Sequence, residues 1–439
     1  MLNLILILIA IFVSAVVWKA AQVPGWYITL PATMGGLFFG WVLPQVGSLI
    51  NESNAPDGAT GLVVMVGLCF VASAVGWSAA TKAGKGDLVA QRGALPIRSM
   101  VVPVGLLTAF VLAVSLGIDW QPEEVKNASR WTGTITVLAF FAQLRILALT
   151  LSLIMVLTRR TIVTLGLAAI NIAITFPVAF VLLRRSEMID VTLALAGSLL
   201  FARGRSLSIP VIAVVAVVLT VVVLSIGELR HSSNVIYEAT GQRPYIFSPD
   251  VFKNIDFESA ATDNVAKATD FRNAMYIIQY VEQTGEYAWG ANTWNDFVFQ
   301  WVPAQFVGSE IKNSLMAGKR GGAYAGIEHL YGFEYKTGTT STGFGSAFED
   351  FGYFGAMYFY VIAMIVGKIY RRARSGDPWM QALFLAMITN ALTAVTHGHP
   401  LFFASFPLFF GASVLLRWMS GYSTSVNRNS LGGGRCANC

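Results

Sequence analysis

The chain has 439 residues, of which 55% are hydrophobic and 12% are charged, and its formal net charge is +6. Soluble domains of average composition carry about 25% charged residues, so this composition excludes an ordinary soluble protein and indicates a membrane protein. The basic residues lie in short segments beside apolar runs, which indicates that they set the orientation in the membrane rather than bind nucleic acid.

The apolar segments predict the membrane helices, because each has close to the ~20 residues that span a bilayer. The candidates in chain order are 1–18, 26–44, 60–80, 99–117, 133–158, 161–183, 189–202, 208–226, 351–368, 379–397 and 400–418. The first has no basic start and no small-residue cleavage site, so it is interpreted as a helix rather than a signal peptide. The seventh is short, which is typical of a tilted or partly re-entrant piece. The predicted fold class is an all-α integral membrane bundle of about 11 transmembrane helices.

The charges between these segments predict the orientation. Basic loops, such as Arg159–Arg160, alternate with acidic or mixed ones, as the positive-inside rule requires. The N-terminus is then outside, the C-terminus is inside, and residues 227–350 form a large loop on the outer, periplasmic face of a bacterial inner membrane. The sequence therefore predicts a transmembrane bundle at 1–226, the loop at 227–350, C-terminal transmembrane helices at 351–418 and a cytoplasmic tail at 419–439.

The predicted loop is too long for a simple connector, which indicates a functional role. Residues 250–283 alternate charged and apolar positions and predict one or two amphipathic helices on the membrane surface or over a cavity. Residues 286–308 are rich in aromatic side chains, which is typical of a membrane interface. Residues 316–346 are rich in Gly, Ser and Thr and predict a flexible loop.

Soluble-enzyme motifs are absent from the sequence. It has no P-loop, no G-x-S-x-G and no H-E-x-x-H, so direct use of ATP is not expected. Cys436 and Cys439 form a C-x-x-C with no second pair, and Cys69 lies in an apolar segment, so neither a zinc site nor another metal or cofactor is predicted. Secondary transporters, channels and enzymes of lipid-linked substrates remain.

Arg145 lies inside the apolar segment LAFFAQLRILALTLSL. A guanidinium at the centre of a bilayer costs roughly 2.5–3.5 kcal/mol on insertion scales. At 1.5 Å per residue, Arg145 is about 20 Å from the Arg159–Arg160 pair and therefore nearer the outer face. Arginine binds phosphate with two parallel hydrogen bonds, so Arg145 is a candidate for substrate binding. A snorkelling or purely structural arginine is the alternative.

Two carboxylates, Glu349 and Asp350, lie where the chain re-enters the membrane, in GSAFEDFGYFGAMYF. Carboxylates at this boundary could position an acceptor hydroxyl or act as a general base. The alternative is an acidic residue that the helix dipole favours at an N-terminus.

Two histidines, His397 and His399, stand between the last two apolar segments, on the predicted outer side. Histidine titrates near neutral pH and is a natural general base. A metal site would need a third ligand that the sequence does not offer, and a structural turn is the other alternative. Arg272 and Lys312 lie in the predicted loop, where a charged residue taken alone is more often simply solvated.

The pattern resembles a known family: many apolar segments, one large loop late in the chain, and a re-entry of the form G-x-x-x-E-x-x-G. It is similar to the bacterial O-antigen polymerases, the Wzy-type oligosaccharide repeat-unit polymerases. The matching stretches are LLFARGRSLSIP, FRNAMYIIQYVEQTGEYAWG, FQWVPAQFVGSEIKNSL and TGFGSAFEDFGYFGAMYFYVIAMIVGK, which cover about a third of the chain. The first half of the chain resembles the family only in hydropathy.

The resemblance implies a GT-C-like fold and metal-independent transfer of a glycan from an undecaprenyl-pyrophosphate donor to a second lipid-linked repeat unit. It implies that Arg272 and Arg145 hold the pyrophosphate. Where this family often has Pro-Arg, the chain has Pro303-Ala304, so Lys312 is the candidate to supply that basic contact. Glu349 or His397 would accept the proton of the acceptor hydroxyl, and His399 would contact the substrate. The implied partners are the lipid-linked oligosaccharide, membrane lipids, a chain-length regulator and a flippase.

Three other functions stay open. An O-antigen ligase performs the same chemistry on a different acceptor. A secondary transporter or lipid-linked glycan flippase often has internal repeats and helices broken near the midplane, and no repeat is evident in this chain. A non-enzymatic component of a polysaccharide export complex is the third.

Overall fold

The structure is a computed structural model, and it describes residues 1–52, 55–82, 97–121, 133–181, 185–204, 206–218, 268–318, 322–335 and 339–421. Every regular element in these ranges is helical. Eight described helical segments are long and apolar enough to cross a membrane, and two of them, Thr134–Thr158 and Thr342–Arg374, each consist of two consecutive helices. The chain is therefore a multi-pass helical membrane protein, as the composition predicts.

The described helices fall before and after residues 219–267. The first group is α1 (Leu2–Ala21), α2 (Leu30–Leu37), α3 (Leu43–Leu49), α4 (Ala59–Thr81), α5 (Ile97–Asp119), α6 (Thr134–Ala142), α7 (Arg145–Thr158), α8 (Ile162–Phe176), α9 (Arg185–Arg203) and α10 (Ile209–Val218). The second group is α11 (Thr269–Thr284), α12 (Ala291–Trp301), α13 (Ala304–Val307), α14 (Ser309–Ser314), α15 (Gly322–Tyr331), α16 (Thr342–Phe351), α17 (Ala356–Arg374), α18 (Pro378–Thr396) and α19 (Pro400–Met419).

Eight of the predicted apolar segments coincide with helices that can cross a membrane. The segment 26–44 instead holds α2 and the start of α3, joined by a π-helical turn at Phe38–Val42. The segment 189–202 lies in α9, which is not among the eight, and 208–226 is described only as far as Val218. The count of about 11 spans and the GT-C-like fold therefore stay predictions.

Among the eight segments that can cross a membrane, α18 is the most enclosed, because 83% of its most apolar stretch is buried. Asp377 fixes its first turn, because its carboxylate accepts hydrogen bonds from the backbone N–H groups of Trp379 and Met380. α18 packs against α7, α9, α17 and α19. By contrast, only 17%, 33% and 28% of the most apolar stretches of α1, α5 and α8 are buried, as expected of helices that contact lipid.

The segment after residue 250 confirms one prediction and contradicts another. α11 is a helix within the predicted amphipathic segment 250–283, and Phe271, Met275 and Ile278 on its apolar side are fully buried against its neighbours. Its placement on the membrane surface or over a cavity stays a prediction. The predicted flexible loop at 316–346 contains α15 and the start of α16, which are helical. Small residues in this part of the chain serve close packing rather than flexibility. The part of 250–283 before Ala268 lies outside the described residues.

Candidate functional site

The helix α16 is the centre of the candidate site, and it is buried from Thr342 to Asp350. Its glycines allow neighbouring backbones to come into contact. A Cβ on Gly343 would lie 2.0 Å from the Ala394 carbonyl oxygen of α18, and one on Gly345 would lie 3.0 Å from Ala274 of α11. Since a Cβ would clash at Gly343 and would be tight at Gly345, α16 is held closely between α11 and α18.

Hydrogen bonds fix the segment that leads into α16. The carboxylate of Asp270 accepts a bond from the Thr340 N–H at 2.8 Å. The amide of the fully buried Asn273 donates to the Thr339 hydroxyl and to the Thr340 carbonyl. The Thr340 hydroxyl donates to the Thr396 carbonyl, at the end of α18, at 2.8 Å. This segment is therefore tied to both α11 and α18, which orients the polar side chains of α16.

A polar cluster forms where α16 meets α12, α17 and the start of α19. His399 Nε2 lies 3.1 Å from Asp350 Oδ2, and His399 Nδ1 lies 3.1 Å from Ser346 Oγ. The hydroxyl of Thr293 lies 3.0 Å from His399 Nε2 and 3.3 Å from Asp350 Oδ2. Tyr358 donates to Asp350 Oδ2 at 3.2 Å, and its ring stacks on the imidazole at 3.9 Å. The five residues form the cluster that we call the Asp350–His399 cluster.

The network assigns the tautomer of His399. An ionised carboxylate only accepts hydrogen bonds, so Nε2 carries the proton and Nδ1 accepts from the Ser346 hydroxyl. His399 and Asp350 are both completely buried. Burial lowers the pKa of His399 below its ordinary value, and the neighbouring Asp350 opposes that shift. The neutral ring is therefore the favoured form near pH 7.

One atom of the cluster has no partner among the described residues. Asp350 Oδ2 accepts three hydrogen bonds, whereas Asp350 Oδ1 is buried and accepts none. An unpaired buried acceptor costs about 1–3 kcal/mol in desolvation, and such strain is often found at functional sites. Chemically, Oδ1 is able to accept a proton or a hydrogen bond from a hydroxyl group that enters the cluster.

Glu349 lies next to this cluster on α16 but faces different neighbours. It is nine-tenths buried and hydrogen-bonds Asn292, and its charge also interacts with Tyr324 and Tyr335. The carbonyls of Glu349 and Asp350 accept hydrogen bonds from the backbone of Ala288 and Trp289. The predicted pair of carboxylates thus lies within a buried helix rather than at a helix N-terminus.

The two predicted histidines have different environments. His399 lies inside the cluster, whereas His397 is exposed at the end of α18, and its Nδ1 lies 2.7 Å from the Thr396 hydroxyl. The structure therefore brings His399, predicted for substrate contact, beside Asp350. It does not place His397, predicted as a base, in the cluster.

The predicted arginines lie in two separate ion pairs. Arg145 begins α7 just after a break in the helix, is 9% exposed, and pairs with Glu187 of α9. Asp190, one turn further along α9, also interacts with the Arg145 charge. Arg272 on α11 pairs with Glu52, before α4, at 2.6 Å. Each arginine thus already has a carboxylate partner, which a pyrophosphate would need to replace.

Lys312 lies on α14, where its ammonium donates to the Phe299 carbonyl at 3.0 Å. It lines the same cavity as Pro303 and Ala304. Lys312 therefore lies near Pro303 and Ala304, and its role as the basic contact of that position stays a prediction.

Sequence reasoning missed Ser346, Thr293 and Tyr358. Ser346 could have been noticed as a hydroxyl three residues before a carboxylate pair. Thr293 and Tyr358 carry no such signal, because only the fold brings α12 and α17 to His399. No group of three or more potential metal ligands occurs among the residues that the structure describes.

Comparison of the chain with protein-family models, with curated proteins and with solved structures gave no match in any of the three.

Proposed function

We propose that this chain is a membrane glycosyltransferase that polymerises lipid-linked oligosaccharide repeat units on the outer face of a bacterial inner membrane. The donor is a glycan activated by undecaprenyl pyrophosphate, and the acceptor is a hydroxyl group on a second lipid-linked unit. The proposal combines the sequence resemblance of the α11, α12 and α16–α17 segments with the chemistry of the polar cluster. No ATP is needed, because the activated lipid supplies the energy.

The proposal depends most on Asp350 as the acceptor of the proton. In the transfer, the acceptor oxygen forms a bond to the anomeric carbon of the donor, and the bond from that carbon to the pyrophosphate breaks. The acceptor proton passes to the carboxylate of Asp350, whose Oδ1 has no other partner in the described chain. His399, Thr293 and Tyr358 hold Oδ2 and fix the carboxylate. General-base catalysis of this kind contributes about 10²–10⁴-fold to a rate.

The remaining charge in the transition state develops on the departing pyrophosphate. Fixed cations in a site of low dielectric stabilise such charge well. Arg272 and Arg145 are the cations proposed to bind the pyrophosphate, and each needs to release its glutamate partner to do so. Glu349 is the proposed contact for acceptor hydroxyls, since it is buried beside Asp350.

A second candidate function is the transfer of a group through a covalent serine intermediate. One observation favours it: Ser346, His399 and Asp350 are linked in the order hydroxyl, imidazole, carboxylate, as in enzymes that use such an intermediate. The two functions differ in the role of Ser346. Direct glycosyl transfer survives the change Ser346→Ala with a modest loss of rate, whereas a covalent mechanism loses its nucleophile.

The proposed function is tested in a host that assembles its surface polysaccharide from lipid-linked units and lacks this gene. Gel analysis of the extracted polysaccharide is expected to show single repeat units only, and the wild-type chain restores the long ladder. Arg272→Ala at equal membrane abundance is expected to lose the ladder, since pyrophosphate then lacks a cation. A ladder that persists without the chain would overturn the proposal and favour a transporter or an assembly component.

A further inference from the structure

The segment 291–317, which contains α12, α13 and α14, folds into a hairpin. Hydrogen bonds join the start of α12 to the chain that follows α14. The indole N–H of Trp294 donates to the Leu315 carbonyl at 2.7 Å, and the side chain of Asn295 both donates to and accepts from the backbone of Ala317. The chain that leaves along α12 therefore returns to the start of that helix. We call this segment the α12–α14 hairpin.

The end of α12 lies between two helices that are able to cross the membrane. The indole N–H of Trp301 donates to the Ala404 carbonyl of α19 at 2.8 Å, and its ring packs edge-on against Phe140 of α6. Both α19 and the segment Thr134–Thr158, which starts with α6, are long and apolar enough to cross a membrane. At ~1.5 Å per residue, Trp301 lies about 6–9 Å inside the starts of these two segments. It is therefore at the depth of their first turns.

The chain stays beside α6 where the hairpin turns. Pro303 and Ala304 line a cavity together with Thr136 and Val137 of α6. Phe306 follows two residues later and is 81% exposed. A large apolar side chain is thus exposed next to the first turns of a membrane-crossing segment, which indicates contact with lipid rather than with water.

Phe306 is one of four large apolar residues that the hairpin exposes, with Trp294, Ile311 and Leu315. Ile311 and Leu315 are four residues apart in helical backbone and therefore lie on one side of α14. Trp294 is next to this side, because it bonds the Leu315 carbonyl. Glu310 is also exposed, one position before Ile311 and on a different side of the helix. Such a two-sided helix is typical of a membrane interface.

The lipid bilayer is the partner that fits these exposed residues. Further along α19, Phe410, Val414 and Leu415 are exposed in the same way, as expected of a helix that contacts lipid. The hairpin packs against this helix near its start, so its apolar residues continue a surface that lipid already covers. In water, by contrast, a contiguous apolar patch of this kind is unfavourable.

We propose that the α12–α14 hairpin anchors the protein in one leaflet of the membrane, with Phe306, Ile311 and Leu315 in contact with lipid acyl chains. Glu310, on the other side of α14, faces the headgroups and water. The proposal goes beyond the proposed function, since it assigns a lipid-binding surface and no substrate. Because α12 also carries Thr293 of the Asp350–His399 cluster, lipid contact at the hairpin restrains the helix that contributes to that cluster.

The test is power-saturation EPR of the nitroxide-labelled, full-length protein in nanodiscs of phosphatidylcholine and phosphatidylglycerol. Each labelled chain carries one new cysteine together with Cys436→Ser and Cys439→Ser. The fully buried Cys69 stays in place, and the chain without a new cysteine reports any label that it takes up. Oxygen dissolves preferentially in lipid, whereas a nickel chelate stays in water. The ratio of the two accessibilities therefore reports the environment of the label.

Two exposed positions outside the hairpin calibrate this ratio. Ile170→Cys, in the middle of α8, is the lipid reference, and Asp57→Cys, before α4, is the water reference. Phe306→Cys and Ile311→Cys are expected to give oxygen-dominated ratios close to that of Ile170→Cys. Glu310→Cys is the matched control on the same helix, and its ratio is expected to shift toward that of Asp57→Cys.

Three results would overturn the anchor. Nickel-dominated ratios for Phe306→Cys and Ile311→Cys would place these residues in water. Low accessibility of both labels to both reagents would show that protein rather than lipid covers them. Equal ratios for Ile311→Cys and Glu310→Cys would show that α14 has no lipid-facing side. The assay needs no turnover, so its result is independent of the polysaccharide ladder that tests the proposed function.

Discussion

The Asp350–His399 cluster and the Arg145–Glu187 pair are both buried polar groups of this membrane protein, but they are built differently. In the cluster, an acidic side chain and a neutral imidazole are held by hydroxyl groups and a stacked ring, and one carboxylate oxygen has no partner. In the pair, two full charges from neighbouring helices neutralise each other. The difference indicates that Asp350 Oδ1 can receive a hydroxyl group without breaking a contact, whereas Arg145 must first release Glu187, which links α7 to α9, before it can bind a pyrophosphate.

The pair provides the largest expected effect on stability. Arg145→Ala leaves Glu187, whose side chain is only 15% exposed, and the neighbouring Asp190 without this guanidinium, and breaking a buried pair costs about 3–5 kcal/mol. Unfolding of the purified protein in detergent should therefore occur at a clearly lower temperature or denaturant concentration. The double variant Arg145→Met with Glu187→Leu should recover most of the loss, because it leaves no buried charge from the pair itself.

The ion pair of Arg272 with Glu52 is the matched control, since its side chains are 24% and 31% exposed. Arg272→Ala is expected to cost at most about 1 kcal/mol of stability, as for other partly solvated pairs. If Arg145→Ala were as mild as Arg272→Ala, the Arg145–Glu187 pair would not be a structural link between α7 and α9, and pyrophosphate binding would be the one role left for Arg145.

The packing of α16 provides the next largest effect. Gly343→Ala places a Cβ 2.0 Å from the Ala394 carbonyl, and overpacking of this kind costs about 1–3 kcal/mol. The measurement is thermal unfolding of the purified variant, together with its abundance in membranes. Gly166→Ala in α8 is the control, because nothing lies within 4 Å of its Cβ position. Equal stability of the two variants would show that α16 is not held rigidly, and a fixed geometry of the cluster would then lose its basis.

The sequence predicts the apolar helices of this protein well, because a long apolar run has few alternatives to a membrane span. The sequence-based prediction of a flexible loop around α16 is wrong for a physical reason. Gly, Ser and Thr are typical of loops, but in TSTGFGS they allow backbone contact with α11 and α18. The helix that carries both carboxylates therefore begins at Thr342, inside the segment predicted to be a flexible loop.

The candidate site could be predicted only in part. Glu349 and Asp350 are recognisable because carboxylates are rare in apolar segments. His397 and His399 are two residues apart, and no spacing rule decides which of them faces inward. That choice depends on the turn between α18 and α19, which leaves His397 at the exposed end of α18 and buries His399 against Tyr358.

The most direct test of Asp350 as the acceptor of the proton is the rate of polymer formation by the Asp350→Asn variant. Membrane vesicles from the complemented host, supplied with its own lipid-linked repeat units, are compared at equal abundance of the chain, and the exposed Asp57→Asn is the control. A loss of about 10²-fold or more is predicted, since an amide keeps the shape of the side chain but is not a base. A rate within a few-fold of the wild type would contradict the assignment and leave the chemistry to Glu349.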